Sequence, residues 1–226
     1  MRKTFSLILL MLVVPAALFA SWTAGVFGGA DVNFPVRNTA YAQYKFSEKA
    51  GYTAGASVSY SFNDHFAVKS GITLLNKRYH LSHEINNQLY TDFNDLYAVL
   101  PVMADFSVTG KKLTGHAYAG AYAGIWASKK ESGLYETAMD QPEEQITEIV
   151  SFDSDKDARF NAGALCGLGV SYALSSNLEI LLDSLFYFDL TSYVKQSSSI
   201  AKEYRYNRTL TVQLGLTYKF QEGGNK

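Results

Sequence analysis

Three short runs carry residue types that could do chemistry. His80-Leu81-Ser82, with Glu84 two residues further on, would set an imidazole, a hydroxyl and a carboxylate on one face of an extended chain, because strand side chains alternate with period two. A serine nucleophile needs a base within hydrogen-bond reach and a group that orients the base. His80, His83 and Glu84 also offer three metal donors, one short of a closed tetrahedral set. Asp153, Asp155 and Asp157 begin like a calcium loop. However, Ala158 stands where a glycine should make the turn, and Ala164 where a glutamate should close the shell. Cys166 is the single cysteine; it lies in an alternating apolar run, where it behaves as a small hydrophobe, and it can form no internal disulfide. On these grounds the expectation is no catalytic, cofactor-binding or metal-binding residue, no cofactor and no enzymatic activity. Residues 80–84 and 153–157 then read as solvated polar loops.

The elements that would position such residues begin after the first twenty. Arg2 and Lys3 precede an apolar stretch from Phe5 to Ala17, and small residues follow as far as Ala20. That layout is a secretory signal peptide over residues 1–20, too short in its apolar part for a comfortable membrane span of about 20 residues. Residues 21–226 then form one domain. Lys and Arg number 20 against 21 Asp and Glu, a net charge of −1, so nothing electrostatic points to nucleic acid as a partner. Sixteen Tyr and 14 Phe against only four Pro favour strands, on which aromatic side chains pack well.

Eight stretches alternate apolar and polar residues: 21–34, 51–62, 66–78, 92–108, 113–128, 158–174, 177–193 and 203–220. The second is the cleanest, with Tyr52, Ala54, Ala56, Val58, Tyr60 and Phe62 against Thr53, Gly55, Ser57, Ser59 and Ser61. In the fifth the outward face is predicted to be Ala117, Ala119, Ala121, Ala123 and Ile125, with His116, Tyr118, Tyr122 and Trp126 inside. Pro101 cannot donate to a ladder, which predicts a bulge or kink beside it. Short connections at 63–65, 109–112 and 175–176 alternate with longer polar ones at 35–50, 79–91, 129–157 and 194–202. This is the pattern of an all-β, eight-stranded antiparallel up-and-down transmembrane β-barrel in a bacterial outer membrane, its long loops outside and both termini periplasmic.

A soluble barrel would put the apolar faces inward, where eight strands leave too little room for them. The polar faces carry Asp31, Lys69, Asp105, Arg159, Glu179, Asp183, Arg205 and Lys219. In a lumen these can pair, as buried charges must; facing lipid, each Lys or Arg would cost about 2–4 kcal/mol at mid-membrane. Aromatics near the short turns (Phe62, Phe66, Phe106, Tyr172, Tyr218, Phe220) and near the long loops (Tyr79, Tyr90, Phe93, Tyr193, Tyr204) predict two girdles.

From Leu96 onward, LYAVLPVMADFSVTGKKLTGHAYAGAYAGIW resembles the mid-region of the PorT-like outer-membrane β-barrel family. FNAGALCGLGVSY with LEILLDSLFYFDLT is similar to the next hairpin, and NRTLTVQLGLTYKF to the closing strand. The resemblance implies an outer-membrane barrel, sometimes linked to protein secretion. One departure is that six residues follow Phe220, where many such barrels end on an aromatic. The His80-x-Ser82 spacing is similar to the pair in lipid A deacylases, which are themselves eight-stranded outer-membrane barrels. The expected partners are outer-membrane lipid, the barrel assembly machinery and a protein met through loop 129–157. The expected role is structural or interactive through the outer loops. A narrow solute channel, a part of a secretion system and a lipid-modifying enzyme are the alternatives.

Overall fold

The computed structural model describes residues 21–37, 44–83, 90–135, 144–153, 155, 157–195 and 205–220. Nine strands follow in chain order: β1 Ser21–Arg37, β2 Tyr44–Ser61, β3 Phe66–His83, β4 Tyr90–Thr109, β5 Leu113–Tyr135, β6 Glu144–Ile149, β7 Phe160–Ala173, β8 Leu178–Asp189 and β9 Arg205–Phe220. Every pairing is antiparallel. Eight strands close a ring in the order β1-β2-β3-β4-β5-β7-β8-β9, with β9 returning to β1. Closure leaves no unpaired edge within the ring, the condition lipid imposes on a sheet that crosses it. The short β6 is an addition to the outer end of β5. The predicted signal peptide lies outside the described residues.

The two faces fall as the alternation predicts. Val26, Ile72, Leu100, Ile125, Phe160, Leu168 and Leu214 are outward and exposed, while Asp31, Lys69, Thr73, Asp105, Asp183, Thr209 and Thr211 are buried inside. On β5, Tyr118, Tyr122 and Trp126 point into the barrel and Ala117, Ala119, Ala121 and Ala123 point out. The lumen is less polar than expected. Leu75, Tyr97, Val99, Met103, Leu165, Leu185 and Tyr187 fill its middle, so this is a packed interior of the kind small barrels have.

Several expectations are corrected. Arg159 lies before β7 and is exposed; its guanidinium stacks 4.5 Å from the Phe152 ring and its Nε donates to the Trp126 carbonyl. Pro101 produces no bulge, since it pairs with Tyr122 in register, but the ladder to β3 is interrupted at Leu100 and Pro101, where the Ser70 hydroxyl donates to the Pro101 carbonyl at 2.8 Å. The register shifts lie elsewhere, between Leu96 and Tyr97 against β5 and between Lys49 and Thr53 against β3. The second is where Gly51 is required, since a Cβ there would collide with the Asn76 carbonyl and the Asp31 carboxylate. The short-turn girdle forms, with Trp22, Phe66, Phe106, Tyr172 and Phe220 all exposed. The long-loop girdle does not form from the expected residues. Tyr79 and Tyr193 are buried inside the barrel mouth, Phe93 stacks on Tyr79 with ring centroids 4.5 Å apart, and Tyr204 lies outside the described residues. Tyr52, Phe160 and Phe188 are the exposed outward rings at that end.

The strands also run further than the alternation predicts. Beyond the last β1–β2 pair, Val32 with Ala50, β1 continues only against β9, pairing Asn33–Arg37 with Thr209–Arg205. On the other side, β2 from Tyr44, β3 to His83, β4 from Tyr90, β5 to Tyr135 and β6 continue as one sheet. The barrel therefore opens at its long-loop end into a two-stranded ribbon facing a five-stranded sheet. Much of the predicted loops 35–50, 79–91 and 129–157 is strand.

Candidate functional site

The lumen holds three tiers of polar groups. At the long-loop end, Lys77 from β3 reaches Asp189 of β8 at 3.2 Å, and its ammonium sits 4.4 Å from the centroid of the Tyr97 ring. Asp189 also accepts from the Tyr122 hydroxyl and from the Asn207 amide at 3.2 Å. Beside it, Asn207 accepts from Asn33 Nδ2 at 2.9 Å, and Asn33 accepts from Thr209 at 3.0 Å. In the middle tier Lys69 pairs with Asp183 at 2.9 Å, and the Tyr118 hydroxyl donates to the same carboxylate at 2.8 Å. Lys77, Asp189, Lys69 and Asp183 thus each have an opposite charge, without which their burial would be prohibitive.

The third tier lies at the short-turn end, around a cavity of about 490 Å³. Lys219 pairs with Glu179 there at 2.6 Å. Both Asp105 oxygens lie 3.1 Å from His116 Nδ1, and His116 Nε2 lies 3.2 Å from the Ser171 hydroxyl. Leu181, Tyr118 and Lys69 close the cavity toward the middle of the barrel.

The residues singled out for chemistry fall elsewhere. His80 and Ser82 belong to β3 and not to a loop. His80 turns to Asp92 on β4, Nδ1 to Oδ1 2.6 Å, and stacks on Tyr90 with centroids 5.4 Å apart. Lys49 from β2 holds the same carboxylate at 2.7 Å. Burial raises the Asp92 pKa, but the hydrogen bonds from Lys49 and His80 outweigh it and hold the carboxyl below its ordinary 3.8. This cluster is on the outward face of the five-stranded sheet, beyond the apolar band. Glu84 lies outside the described residues. Asp153, Asp155 and Asp157 satisfy one another in a tight turn: the Asp155 amide donates to the Asp153 carboxylate and the Asp153 amide to the Asp157 carboxylate, each at 2.9 Å. Cys166 is outward and exposed. Among the described residues no three His, Cys, Asp or Glu side chains are grouped to hold a metal ion. The association of Asp105, His116 and Ser171 was not anticipated. Each was placed on a lumen face, but their proximity depends on strand register.

Solved structures of similar architecture are outer-membrane barrels. OprG from Pseudomonas aeruginosa is 11% identical, the match covering 90% of this chain and 98% of that one, with a TM-score of 0.48. Neisserial surface protein A is 12% identical over 89% and 99%, with a TM-score of 0.42. The outer membrane protease OmpT from Escherichia coli is 7% identical over 88% and 97%, with a TM-score of 0.49. At such identities the likeness is one of architecture. The presence of a protease in this set corrects the expectation that the chain is no enzyme, because the architecture does not exclude catalysis. No curated protein matches the chain. The outer membrane protein beta-barrel domain family matches residues 16–195, without reaching the PorT-like subgroup, and the chain belongs to that family.

Proposed function

We propose that this outer-membrane barrel acts as a surface-interaction protein, its five-stranded sheet standing clear of the membrane on the extracellular side and its short turns and both termini in the periplasm. The observation that carries this reading is the sheet itself. Among the described residues, β6 pairs on one edge only, with Lys130–Tyr135 of β5. Edges of this kind can take an added strand from a partner. They are tolerable only outside hydrocarbon. The Lys49–Asp92–His80 cluster gives the outward face a polar character suited to water or lipid headgroups. The packed middle of the lumen disfavours the channel alternative. Assembly would pass through the barrel assembly machinery, and the likeness to PorT-like proteins is compatible with a partner in the envelope.

The test combines protease treatment of intact cells with a photo-crosslinking residue at Ile146. Cleavage within 129–157 that leaves a heat-modifiable barrel, together with a discrete crosslinked envelope or extracellular protein, is the expected result. Cleavage that requires a permeabilised outer membrane would invert the orientation, and the absence of any adduct would remove the interaction role.

A further inference from the structure

Asp105, His116 and Ser171 stand on three neighbouring strands, β4, β5 and β7, and their side chains meet in one line. The register places Ser107 and Gly169 on either side of His116, so Asp105 and Ser171 are its diagonal neighbours on the lumen face. Opposite His116 on β7, Gly169 has no side chain, and the Asp183 carboxylate and the Tyr118 ring take the place a Cβ would fill. A carboxylate can only accept, so His116 Nδ1 carries the proton shared with Asp105. In the neutral ring Nε2 is then the acceptor, and the Ser171 hydroxyl donates to it at 3.2 Å. That is a nucleophile within reach of a base, the base oriented by a third group. All three residues line the cavity of about 490 Å³ at the short-turn mouth.

We propose that this site is a serine hydrolase centre acting on small polar esters that enter from the short-turn side. Ser171 Oγ attacks the ester carbonyl while its proton passes to His116 Nε2. The bond from the acyl carbon to the alkoxy oxygen then breaks, and the leaving alcohol takes that proton. Water attacks the acyl-Ser171, giving one proton to His116, which returns it to Ser171 Oγ as the carboxylic acid departs. Asp105 is a positioning residue: it holds the ring in the reactive tautomer and balances the imidazolium. The substrate class follows from the walls. Thr23, Ser57, Ser59, Thr109, Thr114 and Thr217 line the cavity, and such hydroxyls match an O-acylated sugar or polyol. Phe66, Ala67 and Leu181 are the only apolar side chains on the cavity's walls, which therefore offer little to a long acyl chain. The other charged groups on its walls are Asp64, His65, Lys69, Glu179 and Lys219.

The test uses the full chain extracted in detergent and shown to be folded by its heat-modifiable migration. It is treated with a fluorophosphonate, whose fluoride leaves as Ser171 Oγ attacks phosphorus, and separately assayed with p-nitrophenyl acetate. The expected result is one adduct, mapped to Ser171, with hydrolysis that S171A abolishes and H116Q lowers by about 10²-fold or more. D105N is expected to lower kcat with little change in KM, because the ring loses the acceptor that holds its Nδ1–H, and D105E is expected to recover part of that loss. A merely structural role for Asp105 would instead change the heat-modifiable migration of D105N or leave kcat in place. Hydrolysis no faster than S171A, with no adduct on the folded wild-type barrel, would overturn the proposal, as would an adduct on a different serine. Mapping the adduct on the wild-type chain keeps the test decisive even if a variant fails to fold.

Discussion

Lys77 and Asp189 meet across the barrel at 3.2 Å, from strands β3 and β8, which stand opposite one another in the ring. Lys69 and Asp183 repeat the link between the same two strands at 2.9 Å. The two ion pairs tie facing walls together, which the hydrogen bonds between neighbouring strands cannot do. Removing one partner strands the other charge in a closed interior. Lys77→Met is expected to destabilise the folded barrel by about 3–5 kcal/mol, read from urea unfolding in detergent or bilayers. Adding Asp189→Leu is expected to restore much of the loss, since a buried pair replaced by apolar groups is often close to neutral. A double variant as unstable as the single one would show that the other partners of Asp189, Tyr122 and Asn207, matter more than the ion pair.

The packed middle of the lumen bears on conduction. Leu75, Tyr97, Leu185 and Tyr187 are each at most 2% exposed, and with the two cross-barrel pairs they leave no continuous water path. The chain in planar bilayers is expected to give no steady single-channel conductance. Discrete, reproducible openings would mean that the interior rearranges in lipid.

Cys166 reports which face meets lipid. It is exposed on β7, with Leu168 and Val170 further along the same face. In vesicles it is expected to react with a lipid-soluble maleimide and to resist a sulfonated, membrane-impermeant one. Equal reaction with both would mean that the apolar face is not in hydrocarbon.

Asp92 sets a pH dependence outside the membrane. Its carboxyl is held below 3.8 in the fold by Lys49 and His80, against the effect of burial. A depressed folded-state value means the contact stabilises above the unfolded value and is lost as pH falls through the folded one. The cluster is therefore expected to be intact at neutral pH and to come apart only below about pH 3.8. The carboxyl carbon shift of Asp92 would follow this directly. His80→Ala is expected to move the midpoint upward, and an unchanged midpoint would assign the whole effect to Lys49.

The transmembrane part of the fold is legible in the sequence because lipid and lumen make opposite demands on alternate residues. Ala117, Ala119, Ala121 and Ala123 against His116, Tyr118 and Tyr122 is such a record, and the structure has the same faces. The strand ends at the long-loop side are not legible in that way. Once β2–β5 leave the hydrocarbon, their outward residues become Lys49, Arg78, His80 and Asp92, and alternation ceases while hydrogen bonding continues. Part of the aromatic lining of the lumen is legible too: alternation puts Tyr97 on the face of Asp95 and Asp105, and Tyr118, Tyr122 and Trp126 inside, where the structure has them buried. Asp105, His116 and Ser171 form no motif in the chain. The turn at 109–112 does carry a signal, however. Pairing Thr109 with Thr114 across it forces Ser107 opposite His116 and brings Asp105 within one diagonal step.

The height at which the ring opens acts as a ruler. The β1–β2 ladder ends at Val32 and Ala50, so the closed wall from Trp22 to Val32 has about the length of a tilted membrane strand, roughly 9–11 residues. A thicker bilayer would draw the margins where β1 and β2 part into hydrocarbon, which offers backbone groups no hydrogen bond. A thinner bilayer would expose apolar wall such as Val26 and Ile72 to water, at the smaller cost of ordinary hydrophobic mismatch. The penalty is therefore expected to be asymmetric: the barrel should favour thin membranes over thick ones, a sorting by thickness that comes from where the backbone ladder divides and from no particular side chain.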